Sequence, residues 1–290
     1  MASSNSARFE FKPMNSNTTH VEGLLKREHF IVVASLLAIA ALAWWWLLHG
    51  AGTGMNIAMM TTWSFPPPVR PSFVQSWSLE YAVIMLLMWW IMMIAMMTPS
   101  AAPMILLYAR AHRYEHKLGK IDASVAPTFS FLFGYLTTWL AFALIATGMQ
   151  WALENAGLVH ALVMWSLDPV FSAGVLIAAG LYQLSPLKNV CLEHCRSPAQ
   201  FLAENFRPGR WGAFQMGLKH GIYCLGCCWF LMALLFAGGV MNLVWIAGLT
   251  ILVLIEKIAP SGHTIARIAG LTMIAWGGWI LLSPHIVPGL

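Results

Sequence analysis

An all-α polytopic membrane protein of about seven transmembrane helices, N-terminus inside and C-terminus outside, is the fold class the sequence predicts. Three observations carry it. Hydrophobic residues make up 59% of the 290 residues and charged ones only 9%, far below the roughly 25% charged residues of soluble domains. The apolar residues gather in seven stretches, the longer ones suited to a bilayer core that takes about 20 helical residues to cross. When those stretches alternate in direction, fifteen of the 16 lysines and arginines fall on one side, as the retention of basic loops in the cytoplasm requires.

The elements follow in order. Residues 1–29 read as a cytoplasmic tail and 30–290 as a single helical transmembrane domain. The first span, 30–48, is uncharged and ends in Trp44, Trp45 and Trp46. No small-residue cleavage pattern follows it, so it reads as a retained helix and not a removed signal. The outer segment 50–78 holds GMNIAMM and WSFPPPVRP, a proline run that no regular helix accommodates, and is expected along the outer surface. The remaining spans are 79–97, 127–149, 170–187, 221–240, 241–255 and 268–282, of which the last two are short. Pro99 and Pro103 are expected to break or kink the second helix. Segment 150–166 spaces its apolar residues as a short interfacial helix would, before Asp168 and Pro169 open the fourth span. The inner loop 188–219 is the largest soluble part, and Arg70 is the one basic residue left outside. A net charge of +5 therefore reflects topology in the lipid bilayer of a bacterial inner membrane and does not indicate nucleic-acid binding.

All five cysteines, Cys191, Cys195, Cys224, Cys227 and Cys228, fall at the cytoplasmic side of this arrangement, where the redox poise keeps thiols reduced. Metal binding and redox chemistry are the open options, beside the packing of cysteine as a small hydrophobe. In HGIYCLGCCWFLM, residues 220–232, helical geometry stacks Cys224 over both Cys227 and Cys228. Gly221 and Gly226 would let another backbone or the inner loop approach closely. In CLEHC, Cys191 and Cys195 lie one turn apart, with His194 and the nearby His220 as nitrogen donors. The spacing matches no standard zinc finger, yet it offers a soft site for copper or, alternatively, zinc. Cys224 with Cys227 or Cys228 would begin the site, and Cys191 or Cys195 would swing in from the loop. Cu(I) accepts two or three thiolates, whereas Zn(II) needs four donors and so would call on His194 or His220 as well.

The second span carries Met85, Met88, Met92 and Met96 at steps of three, four and four, with Met93 and Met97 beside them. At about 1.5 Å per residue the stripe covers roughly 16 Å of depth. Neutral thioethers can hold Cu(I) in hydrocarbon without burying charge. Together with Met55, Met59 and Met60 on the outer side, sulfur would run across the membrane. The competing reading is that a stripe at helical spacing is a packing face.

Other features carry less. His112 and His116 have ligand spacing but belong to a stretch that reads as a solvated inner loop. Glu256, beside Lys257, reads as an ion pair or carbonyl contact at the end of the sixth span. No phosphate-binding loop, nucleophile–base pair or twin-histidine haem pattern is present, and nothing in the sequence supports catalysis.

The segments AMMTPSAAPM, YQLSPLKNVCLEHCRSP, GLKHGIYCLGCCWFLMALLFAGGVMNLVW and LIEK resemble the DUF2182 family of integral membrane proteins over roughly residues 80 to 260. The resemblance implies a multi-spanning protein with a metal site. Its motif positions correspond to Met96, Met97, Pro99, Pro103, Cys191, Cys195, Cys224, Cys227, Cys228, Trp229, Met241, Asn242, Glu256 and Lys257. Two functions from different classes follow from the residues. One is a copper-handling membrane protein that transfers, stores or transports Cu(I) for a cuproenzyme or for export. The other is a non-catalytic accessory subunit packed against a larger membrane enzyme complex, its cysteines structural. A thiol redox carrier cycling Cys224 and Cys227 fits less well, because cysteines three apart bridge only where a helix starts.

Overall fold

The computed structural model describes residues 17–65, 76–119, 126–161 and 164–283, with the side chains of residues 17–29 and of Lys117 outside that description. The proline run at 66–68, Arg70 and the first sixteen residues lie outside it. The regular elements of the described residues are helices: α1 (Asn17–Leu48), α2 (Leu79–Lys117), α3 (Thr128–Asn155), α4 (Pro169–Gln183), α5 (Pro186–Arg196), α6 (Pro198–Asn205), α7 (Gly209–Gly238), α8 (Leu243–Ile258) and α9 (Gly262–Leu282). Besides them only an isolated antiparallel bridge joins Val159 and Ser166.

Local chemistry sets the starts. The Ser78 side chain accepts from the backbone N–H of Tyr81, Asp168 from Val170, Ser185 from Lys188 and Asn242 from Val244, each satisfying one of the donors that a first turn leaves open. Proline occupies the first turn of α4, α5 and α6, where a missing N–H costs nothing.

Five of these helices are long and apolar enough to cross a membrane among the described residues, or six if α4 and α5, bent by 63° at their junction, form one broken span. Each of the seven expected stretches has a helix, but two are short. α8 has 16 residues, about 24 Å of rise, less than the roughly 30 Å hydrocarbon core. It is held between the Asn242 cap and Pro260. α4 has 15 residues and stops where Ser185 and Pro186 begin α5.

Three expectations need correction. α2 is not broken at its prolines and runs on to Lys117. Pro99 cannot donate to the carbonyl of Ala95, and the Trp44 indole of α1 donates to that carbonyl instead, at 3.2 Å. Residues 150–166 do not form an interfacial helix. α3 continues to Asn155, and the chain then turns back on itself through His160 N–H to Trp165 O (2.9 Å). Segment 50–65 does not merely lie on the surface, since Ala51, Met55 and Met60 are buried and the Met60 carbonyl accepts from Leu243.

The connections α1–α2, α3–α4 and α7–α8 meet at one end of the bundle. There Val240 N–H donates to Met164 O, Asn242 Nδ2 to Thr62 O, and the Trp77 indole to Glu154. At the other level α8 ends while α2 and α7 continue, and α5 and α6 fill the space beside them. α3 packs along α7 and α4 along α9. At the α3–α7 seam a Cβ on Gly221 would fall 2.5 Å from Thr138 Oγ1, so only glycine permits that approach.

Candidate functional site

α7 passes through the centre of the bundle, and its cysteines face inward. Cys224, Cys227 and Cys228 are all buried. The thiols of Cys227 and Cys228 donate to the Cys224 carbonyl at 3.0 and 2.9 Å, the back-bonding that hydroxyl and thiol side chains use inside helices.

α5 brings the second pair. Cys195 comes beside Cys224 and Cys227, near enough for the three thiols to interact. Cys191 lies over α7 at Gly226, where a Cβ would fall 2.8 Å from its sulfur. Gly226 is thus the place where the loop helix seats on α7. No loop movement is needed to bring Cys195 to the cluster, contrary to the expectation that it swings in.

Of the histidines, neither joins the sulfurs. His194 stacks on Tyr223 with ring centroids 4.1 Å apart, and its Nδ1 lies 2.8 Å from the Val190 carbonyl. His220 is buried one turn before Cys224 among the rings of Phe131, Tyr135 and Phe201. Its Nδ1 has no hydrogen-bond partner among the described residues.

The site contains groups that sequence spacing did not bring forward. Lys257 Nζ lies 2.9 Å from Cys224 Sγ and 3.1 Å from Ser100 Oγ. The Tyr135 hydroxyl lies 3.1 Å from the same sulfur and 3.2 Å from the Met97 carbonyl. Lys257 therefore does not pair with its neighbour Glu256, as their adjacency suggested. Glu256 turns to the other side, where Oε2 receives Lys188 Nζ at 2.7 Å and Oε1 receives Gln183 Nε2 at 2.7 Å. Arg196 donates to the carbonyls of Glu256 and Pro260 at 2.7 and 2.8 Å, closing the C-terminal end of α8 with a cation as its dipole favours. Two adjacent residues of α8 thus hold two different things: Glu256 clamps α5, and Lys257 holds the sulfur under it. Two signals were available beforehand: a pair of charges at the end of an apolar helix, and the place of both residues among the motif positions of the family resemblance.

Met88, Met92 and Met96 are fully buried, as are Met85, Met93 and Met97. At one end of the stripe Gln150 Nε2 lies 3.4 Å from Met85 Sδ while its Oε1 accepts from the Trp89 indole at 2.8 Å, and Nε2 also donates to Glu154 at 2.8 Å. Gln150 and Glu154, four apart on an apolar helix, are polar residues whose position had this meaning and was not singled out. At the other end Tyr135 ties Met97 to Cys224. His112, expected on a solvated loop, is instead buried on α2 beside Tyr108, with ring centroids 6.2 Å apart. α2 simply does not end before it.

Among the described residues no three His, Cys, Asp or Glu side chains are already disposed around one point as a finished metal site. The thiols of Cys227 and Cys228 are aimed at the Cys224 carbonyl instead. The donor set is soft, anionic when ionised, and already provided with a cation in Lys257, which suits a thiolate ligand.

The sequence profile of the family described as PpoB2, copper chaperone, matches residues 86–280. No curated protein and no solved structure matches the chain. The matched region takes in the stripe from Met88, the α5 cysteines, all of α7 and Lys257, and over it the chain belongs to the PpoB2 copper-chaperone family.

Proposed function

We propose that this chain carries Cu(I) as cargo, held by Cys224, Cys227 and Cys195 within the membrane and handed on to a cuproenzyme or another membrane complex. The single observation that carries the reading is the meeting of Cys195, from α5, with Cys224 and Cys227 on α7. Two or three thiolates are enough for Cu(I). Ionising them in an apolar interior requires a compensating cation, and Lys257 stands 2.9 Å away. Cys228 and Cys191 are reserve thiols beside the same point. His220 would be the nitrogen donor if zinc were held instead. The methionines of α2 give the ion a neutral path toward or away from the thiols, with Met97 next to Tyr135 and Met85 next to Gln150. In this reading the α1–α2 end faces outward, α5 and α6 face the cytoplasm, seven helices traverse a bacterial inner membrane, and the chain binds and releases the ion without catalysing a reaction. The DUF2182 motifs fall on the same residues.

The test is metal analysis of the protein purified in detergent under reducing conditions. Wild type should hold copper in stoichiometric amount, and Cys224→Ser and Cys227→Ser should each lose most of it. Full retention by both variants would return the cysteines to packing and favour an accessory subunit.

A further inference from the structure

α3 and α7 run side by side from the same end of the bundle, and at Gly134 and Gly217 they are so close that an added Cβ would collide with the carbonyls of Phe214 and Phe131. Beside this contact, at the starts of both helices, lies a groove of about 810 Å³, within the roughly 300–1,000 Å³ of ligand sites. Its walls are Phe129, Phe133 and Leu136 of α3 and Trp211 and Phe214 of α7. Phe129, Phe133 and Trp211 are exposed, and the Trp211 and Phe214 rings stack with centroids 5.1 Å apart. Arg210 is the one charged residue of this lining among the described residues. It is exposed, in the first turn of α7, and has no hydrogen bond or ion pair among the described residues. Neither helix has an acidic residue in its first turn or a side-chain cap, so the positive ends of both dipoles meet no carboxylate of their own.

We propose that this groove binds an anionic phospholipid, with the lipid phosphate on Arg210 and an acyl chain between the aromatic walls. The inference is independent of the copper reading and rests on the membrane placement of the helices. A groove with open apolar walls accepts any lipid tail, and what selects the lipid is the charge at its end. The guanidinium matches phosphate oxygens with two parallel N–H donors. The Ser130 hydroxyl, also on the lining and without a hydrogen bond among the described residues, adds a third donor. Trp211 has the apolar body and polar tip that settle at headgroup depth. Basic pockets between helices at the cytoplasmic side hold anionic headgroups in this way. A zwitterionic lipid brings its own ammonium toward Arg210 and gains less. A partner's apolar helix covers the walls equally well but leaves the guanidinium unanswered.

The full-length protein in detergent is titrated with phosphatidylglycerol or with phosphatidylcholine of the same acyl chains, and bound lipid is counted by native mass spectrometry. Wild type should bind its first phosphatidylglycerol more tightly than its first phosphatidylcholine. Arg210→Gln should cut that preference by about fivefold, the worth of one basic residue at an anionic headgroup. Arg267→Gln, which removes an exposed cation from α9, should leave the preference as it is in wild type. Leu136→Trp, which fills the groove and keeps the arginine, should weaken the first binding of both lipids. Equal affinity for the two lipids in wild type, an unchanged preference in Arg210→Gln, an equal loss in Arg267→Gln or undiminished binding in Leu136→Trp overturns the inference. So does displacement of phosphatidylglycerol by equimolar inorganic phosphate, which makes the site one for a free anion, and so does a lipid-free dimer, which gives the groove to a second copy. A chain that stays dissolved without detergent overturns the membrane placement beneath it.

Discussion

The sulfur of this protein lies in two regions that differ in what surrounds it. Around Cys224 the sulfurs are thiols, and buried charges stand beside them: Lys257 on the sulfur itself, and the Lys188–Glu256 pair holding α5 in place. Along α2 the sulfurs are thioethers, surrounded by apolar residues and amide or indole hydrogen bonds such as Trp89 to Gln150, with the Glu154 carboxylate reaching that region only through Gln150 at one end. The difference follows from proton chemistry. A thiol becomes a strong ligand only by ionising, so its region must supply positive charge and keep the rest of its charges balanced. A thioether is neutral whether or not it binds an ion, so its region can be oil-like throughout. On the proposed reading, the thiol region retains a soft cation and the thioether region lets it pass.

Breaking the charge balance of the thiol region should have the largest effect. Lys188→Met leaves the Glu256 carboxylate buried without its cation, and removal of one partner of a buried pair typically costs about 3–5 kcal/mol. The variant should melt well below wild type in detergent and lose copper as α5 loosens. Lys188→Met combined with Glu256→Gln should recover much of the stability. Equal melting temperatures for the single variant and wild type would mean that the clamp is not what seats α5.

A smaller effect is expected at the junction of the two regions. Tyr135→Phe removes the hydroxyl shared by Cys224 Sγ and the Met97 carbonyl, a loss of about 1–2 kcal/mol. Copper should still bind, with faster release to a chelator because one hydrogen-bond partner of the ligand sulfur is gone. Release at the wild-type rate would make the tyrosine a packing residue.

The smallest effect on stability and on bound copper belongs to the stripe. Replacing Met88, Met92 and Met96 by leucine conserves volume, and each swap costs less than about 1.5 kcal/mol. The triple variant should fold and keep copper on the thiols, yet fail to load a recipient cuproenzyme when both are expressed together. Normal loading would reduce the methionines to core packing and remove the contrast between the two regions.

Much of this arrangement was legible from residues alone, and the errors are instructive. The α7 cysteines share a face because 3.6 residues per turn puts them there, and Gly226 was readable as a place of close approach. Pro99 suggested a break in α2 because proline removes a hydrogen bond. The bond is replaced from α1 by Trp44, a partner that local pattern does not reveal. His112 was misplaced as a consequence of the same expected break. Glu256 and Lys257 looked like partners because they are adjacent, although consecutive helical residues point about 100° apart and so face different neighbours.

What the sequence by itself determined is the class and the helices. Apolar stretch length, cap residues and prolines act within a few residues of where they stand, and the bilayer-like composition leaves helix as the way to satisfy the backbone. Tertiary structure alone decided which thiol meets which, that Lys257 serves Cys224 across a separation of 33 residues, and that Lys188 serves Glu256 across 68. These partners are chosen by burial: a charge or thiol enclosed by the bundle must take whatever complementary group the packing of α2, α5, α7 and α8 sets beside it, and no local rule encodes that packing.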